Sequence, residues 1–272
     1  VIPYLKLQVA EAFTPEAQRA IVREYLQVRI LQSLQRMGAM IPLALHGGTA
    51  LRLLYHLPRH SEDLDFALER LPEQYDFRKY LRSIERDLTA ETYQVEIKLN
   101  EQTAVHSALV HFRGLYHRLG ISPHETEVLA IKLEIDTNPP GGATLDTTLV
   151  QRHVAVHLQH HDRASLFAGK LHAILQREYS KGRDWYDLYW YLSQKPWPPP
   201  NLQMLNHALA QSGWKMGIIT ADNWRSHIGD RLAQLDWARA VDDVQRFLLD
   251  QGELVAFRKE TIENLLTGSA NA

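Results

Sequence analysis

The chain of 272 residues carries 30 Lys+Arg against 32 Asp+Glu, a formal net charge of -2, with 45% hydrophobic residues and no cysteine. That balance suits a globular protein able to bury a core, in one large domain or two modest ones, and excludes disordered and fibrous classes. Lack of cysteine removes disulfides, thiolate zinc sites and cysteine nucleophiles, and near-neutral charge confines any nucleic-acid groove to a local patch.

No apolar run approaches the ~18 residues needed to span a bilayer, and the opening VIPYLKLQVAEAF lacks the pattern of a secretory signal. A cytoplasmic protein with no membrane partner is expected. Residues 14–38 begin with Thr14, Pro15 and Glu16 and continue with apolar residues at helical spacing, which predicts a long amphipathic helix ending at Gly38. IPLALH, residues 41–46, reads as a buried strand; Gly47-Gly48 permits a sharp turn, and Thr49 is expected to cap the short helix ALRLLYH. Asp63-Leu64-Asp65-Phe66-Ala67-Leu68 alternates charged and apolar residues, a strand with both carboxylates on one face.

Residues 75–89 have helical periodicity, and TYQVEIKLN, AVHSALVHF and TEVLAIKLEID have strand character, gathering most of the sheet between residues 41 and 158. Beyond Arg163 the segments SLFAGKLHAILQRE, WYDLYWYLSQ, LQMLNHALAQ, NWRSHIGDRLAQL, WARAVDDVQRFLLD and LVAFRKETIENLL all read as helices. The expected fold class is α+β: a mixed-sheet lobe over residues 1–160, then an all-helical lobe over 161–272. KPWPPPN, residues 195–201, reads as a stiff connector within the helical lobe. His157, His160 and His161 lack a carboxylate at ligand spacing and are expected at the surface, with His46 structural.

The segment HGGTALRLLYHLPRHSEDLDF, residues 46–66, carries the chemistry. A strand feeding Gly47-Gly48 lets backbone N–H groups face a phosphate, and the helix begun at Thr49 turns its positive end the same way. Asp63 and Asp65 project to one side, a repulsive pairing that a divalent cation relieves. Phosphate cradle and paired carboxylates together are the minimal equipment for phosphoryl or nucleotidyl transfer. Either half alone is as readily a helix start or a solvated strand face; their combination in this order is far more restrictive.

These residues resemble the signature of the DNA polymerase β-like nucleotidyltransferase superfamily. More narrowly, GGTALRLLYHLPRHSEDLDF, then GKLHAILQR at 169–177 and KGRDWYDLYWYL at 181–192, is similar to the AbiEii/AbiGii toxins of type IV toxin–antitoxin and abortive-infection systems. The resemblance spans residues 46–192 and implies a polymerase β-like fold for the first lobe. It also implies a third metal carboxylate from a later strand: Glu134, flanked by Leu133 and Ile135, or Asp136. Lys132 on the same face could meet phosphate or pair with the acids.

By the same resemblance Lys170 meets the triphosphate, and a point charge there suits a departing pyrophosphate. Arg177 lies seven residues on, on the same helical stripe, in a basic stretch with Arg163, Lys181 and Arg183. Asp184 and Asp187 match the family motif as neighbours on one helix face, placed to orient Lys170 or Arg177, to act near the metal, or to pair with Lys181 and Arg183. Arg59 and Ser61 recur in the pattern and suit an incoming phosphate. Trp185, Tyr186, Tyr189 and Trp190 read as core.

The combined expectation is a Mg²⁺ (or Mn²⁺) nucleotidyltransferase. Asp63, Asp65 and Glu134 or Asp136 hold the metal, Gly47, Gly48 and Thr49 seat phosphates, and Lys170 balances the leaving group. The resemblance implies an NTP substrate, an RNA acceptor such as a tRNA 3′ end, and a cognate antitoxin. A protein or small-molecule hydroxyl as acceptor, and a non-catalytic NTP-binding module, are the competing readings.

Overall fold

The computed structural model describes residues 2–179, 181–194 and 197–268, so the first two residues of the 195–201 connector lie outside the described residues. After α1 (Ile2–Ala10), which the composition of the opening residues does not signal, Thr14 accepts from the Ala17 amide at 3.2 Å and opens α2 (Pro15–Arg36). Helix α2 buries Val22, Leu26, Ile30, Leu31 and Leu34, and the chain leaves it through Gly38 at φ +75°. The short strand β1 (Leu43–His46) runs directly into α3 (Gly47–Tyr55). Helix α3 therefore starts two residues before the expected cap. Thr49 lies inside the first turn and not at the cap, and its hydroxyl donates to the carbonyl of Asp63.

Strand β2 (Leu64–Leu68), helix α4 (Phe77–Ala90) capped by Asp76, strands β3 (Val95–Asn100) and β4 (Val105–Arg113), and the short helix α5 (Leu115–Leu119) follow. Then come β5 (Val128–Asp136), β6 (Leu145–Arg152) and β7 (Val154–His161). Among the described residues these strands form one seven-stranded sheet in the order β3-β4-β5-β2-β1-β7-β6. It is mixed: β2 pairs antiparallel with β1 but parallel with β5, and β1 pairs parallel with β7. Along β5, Leu129, Ile131, Leu133 and Ile135 are buried, while Lys132, Glu134 and Asp136 keep partial exposure. Helix α2 packs on α4 and β5, and α4 on β3; Ala108, Val110 and Phe112 of β4 are buried as well.

His160 and His161 correct the sequence reading. They are buried, at 0% and 2% exposure, while His157 is exposed as expected. Strand β7 lies inside the sheet between β1 and β6, and its last residues are therefore covered. His160 exchanges a 2.9 Å hydrogen bond with the Thr148 hydroxyl and packs edge-on against Tyr55.

The chain packs as two compact units. Residues 2–55, 60–139 and 147–160 form the first, and residues 56–59, 140–146 and 161–268 the second. In the second, α6 (Arg163–Gln176), capped by Asp162, is followed by α7 (Gly182–Ser193), α8 (Leu202–Gln211), α9 (Trp224–Ala233) and α10 (Trp237–Gln245). Trp185 and Tyr186 of α7 are fully buried and Trp190 nearly so. The described part of the connector packs Trp197 edge-on against Tyr191 and ends at Asn201, which caps α8 and donates to the Gly142 carbonyl at 2.7 Å.

Two expected helices end early. Helix α10 stops at Gln245, and Leu248 then forms an antiparallel bridge with Arg59, while the Leu249 amide donates to Pro58, tying segment 56–59 into this unit. LVAFRKETIENLL breaks into α11 (Glu253–Ala256) and α12 (Lys259–Thr267), because Phe257 leaves the helix to pack between Trp237 and Tyr186. Among the described residues no helix is long and apolar enough to cross a membrane.

Candidate active site

In the first unit the site is built where β1 hands over to α3. Gly47 has φ +73°, and a Cβ there would stand 2.6 Å from Asp65 Oδ2. Only glycine allows both the turn and this approach, so the Asp65 carboxylate lies against the start of a helix whose free N–H groups favour negative charge. Strand pairing sets the rest. Asp65 lies opposite His46 on one side and opposite Glu134 on the other. Register partners share a sheet face, so Asp65 and Glu134 stand side by side on adjacent strands. Asp63 directly precedes β2, and alternation carries it to the same face. Asp136 falls two residues farther along, opposite Ala67, and its Oδ1 accepts from the Asn138 amide at 2.9 Å.

Lys132 completes this face. Its ammonium is 2.7 Å from Glu134 Oε1. The hydrogen bond Lys132 donates to Glu134 is the main reason its pKa is held above the ordinary lysine range; partial burial opposes this, and Asp63 and Asp65 reinforce it. Asp63, Asp65 and Glu134 are hard oxygen donors of the kind Mg²⁺ or Mn²⁺ takes, so in chemistry the residues fit such an ion. Among the described residues, however, no three His, Asp or Glu side chains converge closely enough to enclose one. Glu134 is turned to Lys132. Gly48 and Thr49 are buried in the first turn of α3, and Ser61 is half-buried with its carbonyl accepting from Gln27 Nε2 at 3.2 Å.

Helix α3 is itself pinned. Glu24 of α2 accepts from Arg52 Nε at 2.7 Å and from Arg152 Nε, with Glu24 and Arg52 buried and Arg152 partly exposed. Burial alone would raise the Glu24 carboxyl, but Arg52 and Arg152 outweigh it and hold the group below the usual range. Sequence reading missed this support. A single Glu among the polar residues of an amphipathic helix looks like any solvated position.

In the second unit the family-matched residues close into one charged network. Arg59 forks onto Asp187, with Nε to Oδ1 and a terminal nitrogen to Oδ2 both at 2.6 Å, and the two side chains are 3% and 0% exposed. Lys170 of α6 donates to Asp184 Oδ1 at 3.0 Å and lies 2.7 Å from Asp187 Oδ2. Arg177, just past the end of α6, pairs with the other oxygen of Asp184. Asp184 and Asp187 thus hold Lys170, Arg177 and Arg59, and the pairing with Lys181 and Arg183 is not the one adopted. Burial opposes the charges of Lys170 and Asp184. Their mutual attraction and the flanking arginines win, raising the lysine and lowering the aspartate from their ordinary values. Three cations meet two carboxylates, which leaves this set of five with an excess positive charge.

A glycine turn into a helix beside paired strand carboxylates is chemistry suited to binding a phosphate and a divalent ion. The family model described as nucleotidyl transferase AbiEii toxin, type IV TA system, matches residues 29–267. The chain belongs to that family of nucleotidyltransferase toxins, whose members act on NTPs and are paired with an antitoxin.

Two solved structures at TM-scores above 0.5 agree on the fold. A proposed nucleotidyltransferase from H. pylori is 20% identical, with TM-score 0.53 over 91% of this chain and 92% of its own. JHP933 from Helicobacter pylori is 21% identical, with TM-score 0.51 over 91% and 89%. MenT4, the nucleotidyltransferase toxin Rv2826c of Mycobacterium tuberculosis H37Rv, is 14% identical over 98% of both chains at TM-score 0.48. No curated protein matches in sequence.

Proposed function

We propose that this nucleotidyltransferase transfers a nucleotide from an NTP to the 3′ hydroxyl of an RNA, a tRNA end above all, with Mg²⁺ or Mn²⁺ held by Asp63, Asp65 and Glu134. The observation that carries the metal assignment is the pairing of Asp65 with Glu134 across β2 and β5, with Gly47 closed against Asp65. It favours Glu134 over Asp136, whose carboxylate caps its own turn. A divalent ion bound there supplies activation of the attacking hydroxyl and charge neutralisation along the triphosphate.

The chain's own residues do the rest. Gly47, Gly48 and Thr49 present the amides of the α3 N-terminus to the phosphates, with Ser61 nearby in sequence, and the paired strands β2 and β5 hold the acids in register. Lys170, kept charged and aimed by Asp184 and Asp187, balances charge on the leaving pyrophosphate. Arg59 and Arg177 act first on those two acids, so their contribution to nucleotide binding comes through positioning. In this reading residues 1–160 are the nucleotidyltransferase lobe and residues 161–272 the helical lobe, in a protein that works in the cytoplasm and is restrained by its antitoxin. An abortive-infection role follows from the same activity.

The test is incubation with each labelled NTP, Mg²⁺ and total RNA. Label should enter RNA, require the metal and vanish in Asp65→Ala and Lys170→Ala. Label appearing only in protein or a small molecule would replace the RNA acceptor, and undiminished labelling in both variants would overturn the site.

A further inference from the structure

Register and alternation put Asp63, Asp65 and Glu134 on one sheet face, with Asp65 and Glu134 cross-strand neighbours, and like charges on one face repel unless a cation offsets them. Lys132 is a cation on that face. It lies two residues from Glu134 on β5, with its ammonium 2.7 Å from Glu134 Oε1. Its cross-strand neighbour on β4 is the apolar Leu109, which supplies no competing acid. The two side chains keep 40% and 32% of their exposure, so water and ions reach the pair. An ion pair this accessible is weakly held and exchanges readily. Glu134 has the register position to join Asp65, but its carboxylate is committed to Lys132, which fits the absence of a closed three-acid cage among the described residues.

We propose that Lys132 is a built-in counter-cation: it neutralises the acid face before metal arrives and holds Glu134 in reserve until a divalent ion displaces it. This rests on the reading of Asp63, Asp65 and Glu134 as the metal site. Lys132 is then a positioning residue acting through Glu134, and it sets the metal concentration at which the site fills. The ion brings twice the charge of the ammonium and accepts several oxygens at once, so it wins the carboxylates only above a threshold that the lysine raises.

Mn²⁺ binding without nucleotide, read from the electron paramagnetic resonance of the free ion, tests this in wild type, Lys132→Gln, Lys132→Arg and Asp65→Asn. Lys132→Gln should bind Mn²⁺ tighter by on the order of five-fold, since a nearby positive charge is removed. Lys132→Arg should restore wild-type affinity. In thermal melts Lys132→Gln should be the less stable protein without metal and gain more than wild type when Mn²⁺ is added. Unchanged or weaker Mn²⁺ binding by Lys132→Gln, beside measurable wild-type binding, would refute the counter-cation. Wild-type binding no better than that of Asp65→Asn would instead remove the metal site, and the proposal with it.

Discussion

Gly47 opens α3 and Gly169 lies inside α6, and their surroundings assign them opposite fates. Alanine at Gly47 meets a left-handed backbone and a carboxylate 2.6 Å away, so Gly47→Ala should cost about 1–2 kcal/mol from backbone strain. It should also push Asp65 aside and lower transfer at least about tenfold, a loss of about 1.4 kcal/mol in the transition state. Gly169 lies inside α6 with nothing within 4 Å of an added Cβ, so Gly169→Ala should stabilise the protein by about 0.5–1 kcal/mol and leave transfer intact. Chemical denaturation and a labelling assay measure both. Arg59 and Asp187 are the other case in which single atoms decide. Removing either member leaves a buried charge unpaired, and Arg59→Ala should cost about 3–5 kcal/mol, with Arg59→Met/Asp187→Leu regaining much of it. Sequence alone pointed to Arg59, Lys170, Asp184 and Asp187 through motif resemblance. That Arg59 spends its fork on Asp187 was not legible, because the two lie 128 positions apart.

Elements were legible where their period was strong and their ends carried chemistry. Thr14 and Pro15 mark the start of α2, and the alternation through Lys132, Glu134 and Asp136 marks the half-exposed face of β5. Element ends fixed by distant partners were not. Thr49 reads as a cap, yet its hydroxyl is drawn to Asp63, and α3 begins earlier; Phe257 reads as helical, yet the ring packs into Trp237 and ends α11. The contact of α7 with α10 offers the element-scale test. A Cβ on Gly182 would lie 1.8 Å from the Ala240 carbonyl oxygen, a backbone atom that no rotamer change can move. Gly182→Ala should therefore separate the two helices and destabilise the protein by about 1–3 kcal/mol or more, seen as a lower melting temperature. Because α7 carries Asp184 and Asp187, transfer should fall along with stability.

Over the whole molecule, acid stability joins the two units. Glu24 in the first and Asp184 in the second are both held below their ordinary values of 4.5 and 3.8, by Arg52 and Arg152 and by Lys170 and Arg177, against the opposing effect of burial. A carboxylate lowered by folding contributes stability that is full above its unfolded value and is lost as pH falls through the folded one. Melting temperature should thus drop steeply on acidification below about pH 4, and Asp184→Asn, less stable at neutral pH, should show a shallower acid limb. Lys170 works the other way, its contribution being complete below 10.5 and lost only as pH rises through its raised folded value. By itself the sequence determined the α+β class, the strand–glycine–helix turn, the acidic pair and the family, because these are written in contiguous residues and in local periodicity. Tertiary structure alone decided that Glu134 stands beside Asp65, that Lys132 holds it, and that Arg59 and Lys170 converge on Asp187. Strand order and helix packing bring together residues that chain distance keeps apart, and no local pattern encodes which strand lies beside which.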